Sequence, residues 1–467
     1  MTPSRSIFMG IQDTIAAVAT PSGVGGIGII RISGPAAEEI GRLLFRPAKA
    51  PCPFATHHLY HGDIVPPERG TPVDEVLVTL MRGPHSFTGE DVLEIHCHGG
   101  PVILRTVLEA VLRAGARHAE PGEFTRRAFL NNRLDLSQAE ALADLIAAKT
   151  PEGLDAPLAR LKGRLSGKIH SLRESLLEIL VLLEADVDFP DEGLEILPVP
   201  KIVGMLESPA ADIRSLLATY EEGRLYREGL KAVIAGRPNV GKSSLLNRLL
   251  GEERAIVTPI PGTTRDFIEE AIHIEGLPVR LTDTAGIRES ENTIERKGVE
   301  RVWEKLSGAD AVILLLDGSE DLSEEDRVLL ERVEGGKCIV AINKSDLPQR
   351  LKEEDAATVL PGVTPLRISA KYGDGLDRLK EQILVLAGRE RNSPEKDVVI
   401  GNLRHKTALE RAEAFIQKAG ESLRSGLSPE FAALDVREAL RHLEEIVGQT
   451  TSEDLLDRIF SSFCIGK

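Results

Sequence analysis

The chain has 467 residues, of which 42% are hydrophobic and 28% are charged, and its formal net charge is −16. A chain of this length is too long for one hydrophobic core, so we expect two or three domains. The longest apolar runs, 179–183 and 311–316, are far shorter than the ~20 residues that span a bilayer. The acidic balance argues against a protein that coats nucleic acid nonspecifically, because neutralising phosphates needs clustered Lys and Arg.

The four cysteines, Cys52, Cys97, Cys338 and Cys464, are scattered without disulfide-like or zinc-like spacing. Scattered cysteines of this kind favour a reducing compartment. The N-terminus also lacks the apolar core of a signal peptide. We therefore expect the protein in the cytoplasm.

Residues 1–130 mix short strand-like runs with Gly/Pro turns and one helical stretch, which predicts an α+β domain. The stretch GVGGIG at 23–28 fits the dinucleotide fingerprint, but a strand-like run follows it where a helix should open. We therefore interpret these glycines as a tight turn. The predicted elements are strands at 14–19, 28–33, 75–81 and 92–96 and a helix at 103–114.

Residues 131–225 have a helical pattern. Ser137 and Glu140 have capping-box spacing, which predicts a helix start. An apolar stripe at helical spacing runs from Ile169 to Leu183, and the acidic segment 186–193 interrupts it.

Residues 226–384 alternate strand-like and helix-like runs, and this alternation predicts a parallel sheet with helices on both faces. Residues 385–467 are helical again, with predicted starts at Ser428-Pro429 and at Thr451 with Asp454. The predicted architecture is thus multidomain, with an α/β unit inserted into a discontinuous helical domain. The predicted strands of the α/β unit are 231–235, 279–282, 311–316, 338–342 and 366–368.

The segment GRPNVGKSS, residues 236–244, satisfies the phosphate-loop pattern G-x-x-x-x-G-K-[ST]. It follows a strand-like run and precedes a helix-like run, as the pattern requires. Its glycines let backbone N–H groups close around phosphate oxygens, and the helix N-terminus adds positive potential. We expect Lys242 to bridge the β- and γ-phosphates and the Ser243 hydroxyl to bind Mg²⁺.

Two further segments follow in the order of a GTPase. TPIPGTTRD, residues 258–266, offers Thr264 to Mg²⁺ and the γ-phosphate. We expect Asp283 of the DTAG segment to be the Walker-B-type carboxylate and to act through a metal-bound water. The phosphate loop and these two segments together predict a nucleotide hydrolase.

The base pocket is predicted from NKSD, residues 343–346, and SAK, residues 369–371. Asp346 would accept hydrogen bonds from the guanine N1–H and N2 amine, which adenine lacks, and a site built around such a bond rejects the wrong base by about 10⁴-fold. Asn343 braces the base, the Lys344 stem packs against it, and SAK presents a backbone amide to the guanine O6. The residues expected to bind GTP are Asn239, Val240, Gly241, Lys242, Ser243, Ser244, Thr258, Pro259, Ile260, Pro261, Gly262, Thr263, Thr264, Asp283, Thr284, Ala285, Gly286, Asn343, Lys344, Asp346, Ser369, Ala370 and Lys371.

Ile287 follows the DTAG glycine, where Ras-type enzymes carry the glutamine that orients the attacking water. The sequence therefore leaves open which group neutralises the transition-state charge and which residue orients the attacking water. Arg265 and Arg288 are candidates for the first task, and each could equally be a solvated loop arginine. Asn239 offers an alternative, because its amide oxygen could coordinate a monovalent cation beside the phosphates, with backbone carbonyls of 258–263. For the water, the residues alone do not rank the four nearby glutamates, Glu289, Glu291, Glu295 and Glu300.

The motifs taken together resemble the MnmE (TrmE) family of tRNA-modification GTPases, within the TrmE-Era-EngA-like GTPase group. The resemblance runs over essentially the whole chain. It is carried by GRPNVGKSSLLN, TPIPGTTRD, DTAGIRE with IERKGVERVW, the N-terminal GGIGIIRISG and SFTGEDVLEIHCHGGPVI, PGEFTRRAFLNNRLDLSQAEALADLI, and the terminal CIGK.

The resemblance implies a mechanism for GTP hydrolysis. It implies that K⁺ is bound by Asn239, Thr258, Ile260 and Thr263, and that K⁺-dependent dimerisation of the G domains activates them. It also implies that Glu295 orients the attacking water through a second, bridging water. The implied domains are an N-terminal folate-binding and dimerisation domain at 1–130, a helical domain at 131–225 and 385–467, and a G domain at 226–384.

The resemblance also implies a folate site in the N-terminal domain, which would mediate homodimerisation and hold a 5-formyl- or 5,10-methylene-tetrahydrofolate. The implied contacts are Arg31, Glu94, Arg133 and the C-terminal Lys467. A carboxylate suits the donors of a pterin ring, and basic groups suit its carbonyl or the glutamate tail. Arg133 departs from the family, which commonly has lysine there.

The biology implied is the addition, with the FAD-dependent partner MnmG, of an aminomethyl or carboxymethylaminomethyl group to the wobble uridine (position 34) of certain tRNAs. Cys464 is then either a thiol that takes part in this chemistry or a mobile bystander. Two other functions stay open, a ribosome-assembly GTPase of a related family and a GTP-gated scaffold without modification chemistry of its own.

Overall fold

A computed structural model describes residues 13–49, 52–188, 198–253, 269–283, 308–333, 335–388 and 398–467. The chain divides into two compact units. The first unit consists of Met1–Ala143, Arg160–Glu178 and Arg437–Lys467, and the second of Asp144–Ala159 and Ile179–Val436. The domain boundaries expected at 130, 225 and 384 stay predictions.

The first unit is built on a seven-stranded sheet with the order β3-β4-β5-β6-β2-β1-β7. All neighbours are antiparallel except β1 and β7, which are parallel. The predicted strands of this region are present, and β3, β4 and β7 are additional. The strands are β1 Ile15–Val18, β2 Gly25–Ser33, β3 Phe45–Pro47, β4 Leu59–Ile64, β5 Asp74–Met81, β6 Val92–Gly99 and β7 Arg117–His118.

Alternation along β2 and β6 gives this sheet two different faces. Ile30, Ile32 and Ile95 are fully buried and belong to a core that includes residues of helices α1, Ala37–Leu44, and α2, Pro101–Arg113. The alternate residues, among them Arg31 and Glu94, therefore point to the opposite face. The glycines at 25–28 lie inside β2, with an irregular register between Gly25 and Ile27, so the predicted tight turn is wrong.

The remaining helices that begin in the first unit are α3, Glu123–Leu130, α4, Leu136–Ala147, α6, Arg164–Asp188, and α15, Glu453–Phe460. The predicted Ser137–Glu140 capping box is wrong, because the box forms two residues earlier. Asp135 Oδ1 accepts from the Gln138 amide at 3.0 Å, and Gln138 Oε1 accepts from the Asp135 amide at 2.9 Å. The predicted Thr451–Asp454 cap is also wrong, since α15 follows Ser452, which makes no side-chain capping bond.

The second unit contains a six-stranded sheet with the order β13-β12-β11-β8-β10-β9. Five strands are parallel, as predicted, but β9 is antiparallel to β10, so the sheet is mixed. A turn with positive φ at Glu275 (45°) and Gly276 (78°) joins these two strands, which is the backbone that a tight hairpin requires. The strands are β8 Leu230–Ala235, β9 Glu269–Ile274, β10 Leu277–Asp283, β11 Ala311–Asp317, β12 Cys338–Asn343 and β13 Leu366–Arg367.

Both faces of this sheet are buried, which explains the continuous apolar runs of its strands. On β8, Ala232 and Ile234 belong to one core cluster, whereas Val233 and Ala235 belong to another. Helices α9, Lys242–Glu253, and α12, Leu376–Leu386, contribute to the first cluster, and α10, Glu324–Arg332, contributes to the second. This arrangement confirms the predicted α/β fold with helices on both faces.

Helices of seven to 25 residues account for most of the rest of the described chain. The predicted apolar stripe lies on α6 and is buried from Ile169 to Leu183. Helix α14 begins at Pro429, as the Ser-Pro pair predicted. None of the helices in the described ranges is long and apolar enough to cross a membrane. The helices of this part of the chain are α5 Asp155–Leu161, α6 Arg164–Asp188, α7 Val199–Leu217, α8 Tyr220–Glu228, α11 Glu353–Val359, α13 Leu403–Arg424 and α14 Pro429–Val447.

Candidate functional site

The phosphate-loop motif lies between β8 and α9, at the carboxyl end of a central strand. Ligands of open α/β sheets bind at this edge, where strand ends and helix N-termini meet. The loop turns sharply, with φ of 149° at Gly236, 64° at Asn239 and 103° at Gly241. Glycine tolerates such angles at no steric cost, and asparagine is among the few other residues that accept them. The side chain of Asn239 is exposed on this turn.

Lys242, the first residue of α9, is buried with 7% of its surface exposed. Its Nζ donates to the carbonyls of Gly236, at 2.9 Å, and Arg237, at 2.8 Å. The ammonium is therefore held inside the turn of the loop, where phosphate oxygens would meet it. Ser243 and Ser244 follow on the exposed first turn of the helix.

Asn343 connects the phosphate loop to the base-pocket segment. It ends β12 and is buried. Its Nδ2 donates to the Val240 carbonyl at 2.7 Å, and its Oδ1 accepts from the Ala370 amide at 2.9 Å. A Cβ atom at Gly241 would overlap the Asn343 Nδ2. The structure therefore brings together three predicted segments, 239–244, 343–346 and 369–371, through one side chain.

The base pocket has one exposed carboxylate. Asp346 is exposed, and its Oδ1 accepts from the Ser369 Oγ at 2.8 Å. Ser369 is fully buried, so its hydrogen bond anchors the exposed carboxylate to the protein interior. Lys371 lies at the surface with its Nζ 4.9 Å from the centre of the Tyr372 ring.

Asp317 is a residue of this site that the sequence analysis did not single out. It ends β11, is buried, and its Oδ2 lies 2.5 Å from the Lys344 Nζ. Burial alone would raise the pKa of the Asp317 carboxyl, but hydrogen bonds from Lys344 and Ser319 outweigh it and hold that pKa below its ordinary value. An aspartate that directly ends a fully apolar strand was the available signal, because it falls at the same sheet edge as the phosphate loop.

Asp283 ends β10, which pairs with β8 so that Asp283 is opposite Ile234. Its backbone is therefore one strand away from the phosphate loop. The other predicted residues of the GTPase centre lie outside the described residues: Thr258, Pro259, Ile260, Pro261, Gly262, Thr263, Thr264, Arg265, Thr284, Ala285, Gly286, Ile287, Arg288, Glu289, Glu291, Glu295 and Glu300. In the described part of the chain, no group of three or more His, Cys, Asp or Glu side chains is arranged to hold a metal ion.

The residues predicted to bind folate lie in the first unit. Arg31 and Glu94 are opposite each other on β2 and β6, and their side chains form an ion pair of 2.8 Å between Nη2 and Oε1. The Arg31 guanidinium also lies over the rings of Phe87, at 5.2 Å, and Phe124, at 5.8 Å. Burial opposes ionisation of Glu94, but His96 and Arg31 hold the pKa of this carboxyl below its ordinary value.

The C-terminal segment that carries Lys467 packs beside this pair, because Gly466 lies against Val18 and Val18 is opposite Ile30, the neighbour of Arg31. Burial, and then the charge of Arg31, lower the pKa of Lys467, while Glu94 acts in the opposite direction. Gly466 adopts φ of 92° and lies against β1, where a Cβ atom would overlap the Val18 carbonyl. Cys464 is exposed, and its carbonyl accepts from the Gly122 amide at 3.4 Å.

Arg133 is placed differently from the other three. It is exposed, and its Nε donates to the Ser86 carbonyl at 3.1 Å. Ser86 directly precedes Phe87, the ring that contacts Arg31. The structure therefore pairs Arg31 with Glu94, places the C-terminal segment that carries Lys467 beside β1, and attaches Arg133 to the neighbouring loop.

Comparisons with known proteins agree over the whole chain. The family model described as the MnmE helical domain matches residues 136–464, and the model described as the N-terminus of the GTP-binding protein TrmE matches residues 14–133. The tRNA modification GTPase MnmE of Syntrophus aciditrophicus (strain SB) is 56% identical over 457 residues, covering 98% of this chain and 100% of that protein.

Two further relatives are nearly as similar. The tRNA modification GTPase MnmE of Heliobacterium modesticaldum (strain ATCC 51547 / Ice1) is 49% identical, and that of Geobacter sulfurreducens (strain ATCC 51573 / DSM 12127 / PCA) is 46% identical. Each alignment covers 98% of this chain and 100% of the relative. Together with the phosphate loop and the base pocket, these matches show a GTP hydrolase, and the chain belongs to the MnmE family of tRNA modification GTPases.

Proposed function

We propose that this protein is a potassium-activated GTPase that modifies the wobble uridine of certain tRNAs in the cytoplasm. It would act as a homodimer through its N-terminal domain, together with the FAD-dependent partner MnmG. The observation that carries the proposal is the Arg31–Glu94 ion pair beside the C-terminal segment, in a chain whose other unit holds a phosphate loop. In this proposal the N-terminal site holds the one-carbon donor and the phosphate loop belongs to the site that hydrolyses GTP.

In the GTPase centre, Lys242 supplies positive charge to the β- and γ-phosphates, and its hydrogen bonds to the Gly236 and Arg237 carbonyls hold the ammonium at the loop. The exposed Ser243 hydroxyl, on the first turn of α9, is chemically suited to Mg²⁺, with Thr264 as its second ligand. Mg²⁺, when bound, neutralises charge that develops on the phosphates. Asp346 selects guanine, because its carboxylate is exposed and fixed by Ser369.

Asn239 is proposed as the K⁺ ligand of the described loop, with Thr258, Ile260 and Thr263 completing the set. Its exposed amide, on a turn with positive φ, fits an oxygen donor directed toward the phosphates. K⁺, when bound there, supplies the positive charge that an arginine finger supplies in other GTPases. Because the Ile287 side chain has no polar atom that can hydrogen-bond to water, Glu295 is proposed to orient the attacking water. Arg265 is the alternative to K⁺ as the source of positive charge.

The potassium proposal is tested by GTP turnover in K⁺ buffer and in Na⁺ buffer of equal ionic strength. We expect a rate at least about 10-fold higher in K⁺, since the ion replaces a group that is worth about 10³–10⁵-fold in rate. Asn239→Ala should abolish the difference between the two buffers. Equal rates for the unchanged protein would contradict the proposal.

The role of Glu295 is tested by Glu295→Ala, with Glu300→Ala as the matched control on the same segment. We expect Glu295→Ala to lower kcat by about 10²-fold while nucleotide binding is retained, because a water-orienting group acts mainly in the transition state. A fluorescent GDP analogue measures the binding. Unchanged turnover would remove Glu295 from the mechanism.

The N-terminal residues fit a tetrahydrofolate derivative chemically. Glu94 offers an acceptor to pterin donors, Arg31 and Lys467 offer donors to a carbonyl or carboxylate, and the rings of Phe87 and Phe124 lie beside Arg31. The one-carbon unit, as a formyl or methylene group, is what the cofactor supplies when bound. Arg133 is proposed to reach the ligand from the neighbouring loop.

Calorimetry with 5-formyltetrahydrofolate on the full chain tests this site. Glu94→Gln should weaken binding by about 10-fold, as expected for loss of one charge-assisted hydrogen bond. Glu75→Gln is the matched control, because Glu75 pairs with His61 on the same sheet, at 2.8 Å. Equal affinities of the two variants and the unchanged protein would contradict the folate site.

The cellular function is tested by mass spectrometry of tRNA nucleosides from a deletion strain. We expect loss of the aminomethyl or carboxymethylaminomethyl group at uridine 34, and restoration by the intact gene. Cys464→Ser in the same strain separates the two roles of the thiol, since a participating thiol is required for restoration and a bystander is not. If uridine 34 still carries the modification in the deletion strain, the proposal is contradicted and a ribosome-assembly role is favoured.

A further inference from the structure

Arg237, the second residue of the phosphate loop, has a side chain that the nucleotide chemistry above does not use. Its Nη2 lies 2.5 Å from Glu320 Oε2, and its Nε lies 3.3 Å from Asp326 Oδ2. The side chain is only 19% exposed. A guanidinium this enclosed needs compensating charge, and its planar fork can hold two carboxylates at once.

Both carboxylates lie within residues 320–326, which comprise the end of the connection from β11 and the first turn of α10. Asp326 is 2% exposed and lies in the first turn of α10. It forms a capping box with Ser323, in which the Asp326 amide donates to Ser323 Oγ and the Ser323 amide donates to Asp326 Oδ2, both at 3.2 Å. Because this helix start is buried and its two capping bonds are reciprocal, it is rigid. We therefore expect it to hold the Arg237 side chain in place rather than to move with that side chain.

The backbone of Arg237 in turn determines where the phosphate-binding ammonium lies. The Arg237 carbonyl accepts from Lys242 Nζ at 2.8 Å, and the Gly236 carbonyl accepts from the same atom at 2.9 Å. Asn239 follows two residues later at φ of 64°. A shift of Arg237 would therefore move the Lys242 ammonium and the Asn239 side chain together.

We propose that Arg237 is a positioning residue of the GTPase centre. It clamps the phosphate loop to the Glu320–Asp326 segment and thereby holds Lys242 in the geometry that hydrolysis requires. Arg237 acts through Lys242 and not on the phosphates, because its Nη2 donates to Glu320 and its Nε makes an ion-pair contact, without a hydrogen bond, to the buried Asp326 carboxylate. The inference rests on GTP hydrolysis alone and needs neither the potassium nor the folate proposal.

The test is steady-state GTP hydrolysis by the full chain carrying Arg237→Gln or Arg237→Lys. A displacement of about 1 Å can cost about 10²-fold in rate, so we expect a partial loosening by Arg237→Gln to lower kcat by about 10-fold. The KM for GTP should change by less than about 3-fold, because the guanine contacts at Asp346 are untouched. Arg237→Lys should recover part of the loss, since an ammonium can satisfy one carboxylate of the two.

Arg214→Gln is the matched control, because it removes another Arg–Glu pair, with Glu413 at 3.3 Å, between helices α7 and α13. We expect its kcat to equal that of the unchanged protein. A kcat for Arg237→Gln within about 2-fold of the unchanged protein would overturn the proposal, as would an equal loss in Arg237→Gln and Arg237→Lys.

Glu320→Gln provides a second route that does not depend on the folding of an Arg237 variant. Glu320 is 57% exposed, so the substitution leaves no cavity, and it weakens the clamp while Arg237 stays in place. We expect a loss of about 3-fold in kcat, smaller than that of Arg237→Gln because the Asp326 contact remains. An unchanged kcat would overturn the proposal.

Discussion

The two candidate sites of this protein are built in opposite ways. The nucleotide site uses short contiguous motifs at the carboxyl ends of parallel strands, so that each motif carries its own backbone geometry, as at Asn239 and Gly241. The site on the N-terminal sheet instead joins Arg31, Glu94 and Lys467, which are far apart in the chain. The first type can be recognised before the fold is known, whereas the second exists only once strand register and the docking of the C-terminal segment are fixed.

The largest expected effect tests the self-contained nature of the nucleotide site. Lys242→Ala should lower kcat/KM for GTP by about 10²–10³-fold, the range for a single preorganised donor to developing charge. Steady-state hydrolysis measures it. Lys231→Ala, at an exposed position at the start of the same β8–α9 segment, is the control and should leave the rate unchanged. A comparable loss of kcat/KM in both variants would contradict a specific role of Lys242 in the phosphate loop.

Base selection at Asp346 should be nearly as sensitive. Asp346→Asn replaces an acceptor pair by one donor and one acceptor, which mismatches the guanine N1–H and N2 amine but suits xanthine, whose C2 carries a carbonyl. We expect GTP affinity to fall by about 10²-fold or more and that for xanthosine triphosphate to rise. Competition against fluorescent GDP measures both. Parallel losses for the two nucleotides would argue against a contact between Asp346 and the base.

Ligand binding at the site on the N-terminal sheet should be sensitive to a substitution at a residue that does not contact the ligand. Gly466→Ala places a Cβ against the Val18 carbonyl at φ of 92°, so Lys467 should move away from Arg31 and Glu94. We expect affinity for 5-formyltetrahydrofolate to fall by about 10-fold, the size of one charged hydrogen bond. Gly115→Ala is a matched control, because Gly115 also has positive φ (111°) but has open space around it. If both variants bind equally well, the C-terminal segment does not position the ligand site.

The smallest expected effect concerns the exposed His98, near the end of β6, and its buried partner Asp74, at the start of β5. A hydrogen bond from His98 Nδ1 to Asp74, at 2.7 Å, and the charge of Asp74 raise the pKa of His98. Because the folded state favours the protonated form, this pair stabilises fully below the unfolded pKa of about 6.5 and loses its contribution as pH rises through the raised value. Asp74→Asn should lower the pKa of His98 in an NMR titration. An unchanged titration would show that the pair is not formed in solution.

The central strands of the nucleotide unit could be predicted to within two residues because they are buried on both faces and appear as continuous apolar runs. Strand β9 was missed because a one-sided edge strand has a weaker pattern, although the Glu275-Gly276 turn marked the hairpin. The capping pair of helix α4 was predicted two residues too late, because two capping pairs compete in the same stretch. Burial decides between them, since Leu136 and Ser137 are fully buried and Asp135 takes the cap.

The same contrast applies to the sites. The phosphate loop, Asn343 and Asp346 follow from residue types at fixed spacing. The pairing of Arg31 with Glu94 depends on the register of β2 against β6, and a slip of one residue would send the two side chains to opposite faces. For this reason only the family resemblance, and no spacing rule, could have selected those residues.

The contact between Gly241 and Asn343 has a consequence for how this protein can change. Because any side chain at position 241 would occupy the place of the Asn343 amide, two motifs that are about a hundred positions apart cannot vary independently. A substitution at either one disturbs the loop around the phosphates and the loop around the base in the same event. Selection at this site therefore acts on a pair of residues, and an engineered change of base preference has to preserve both members.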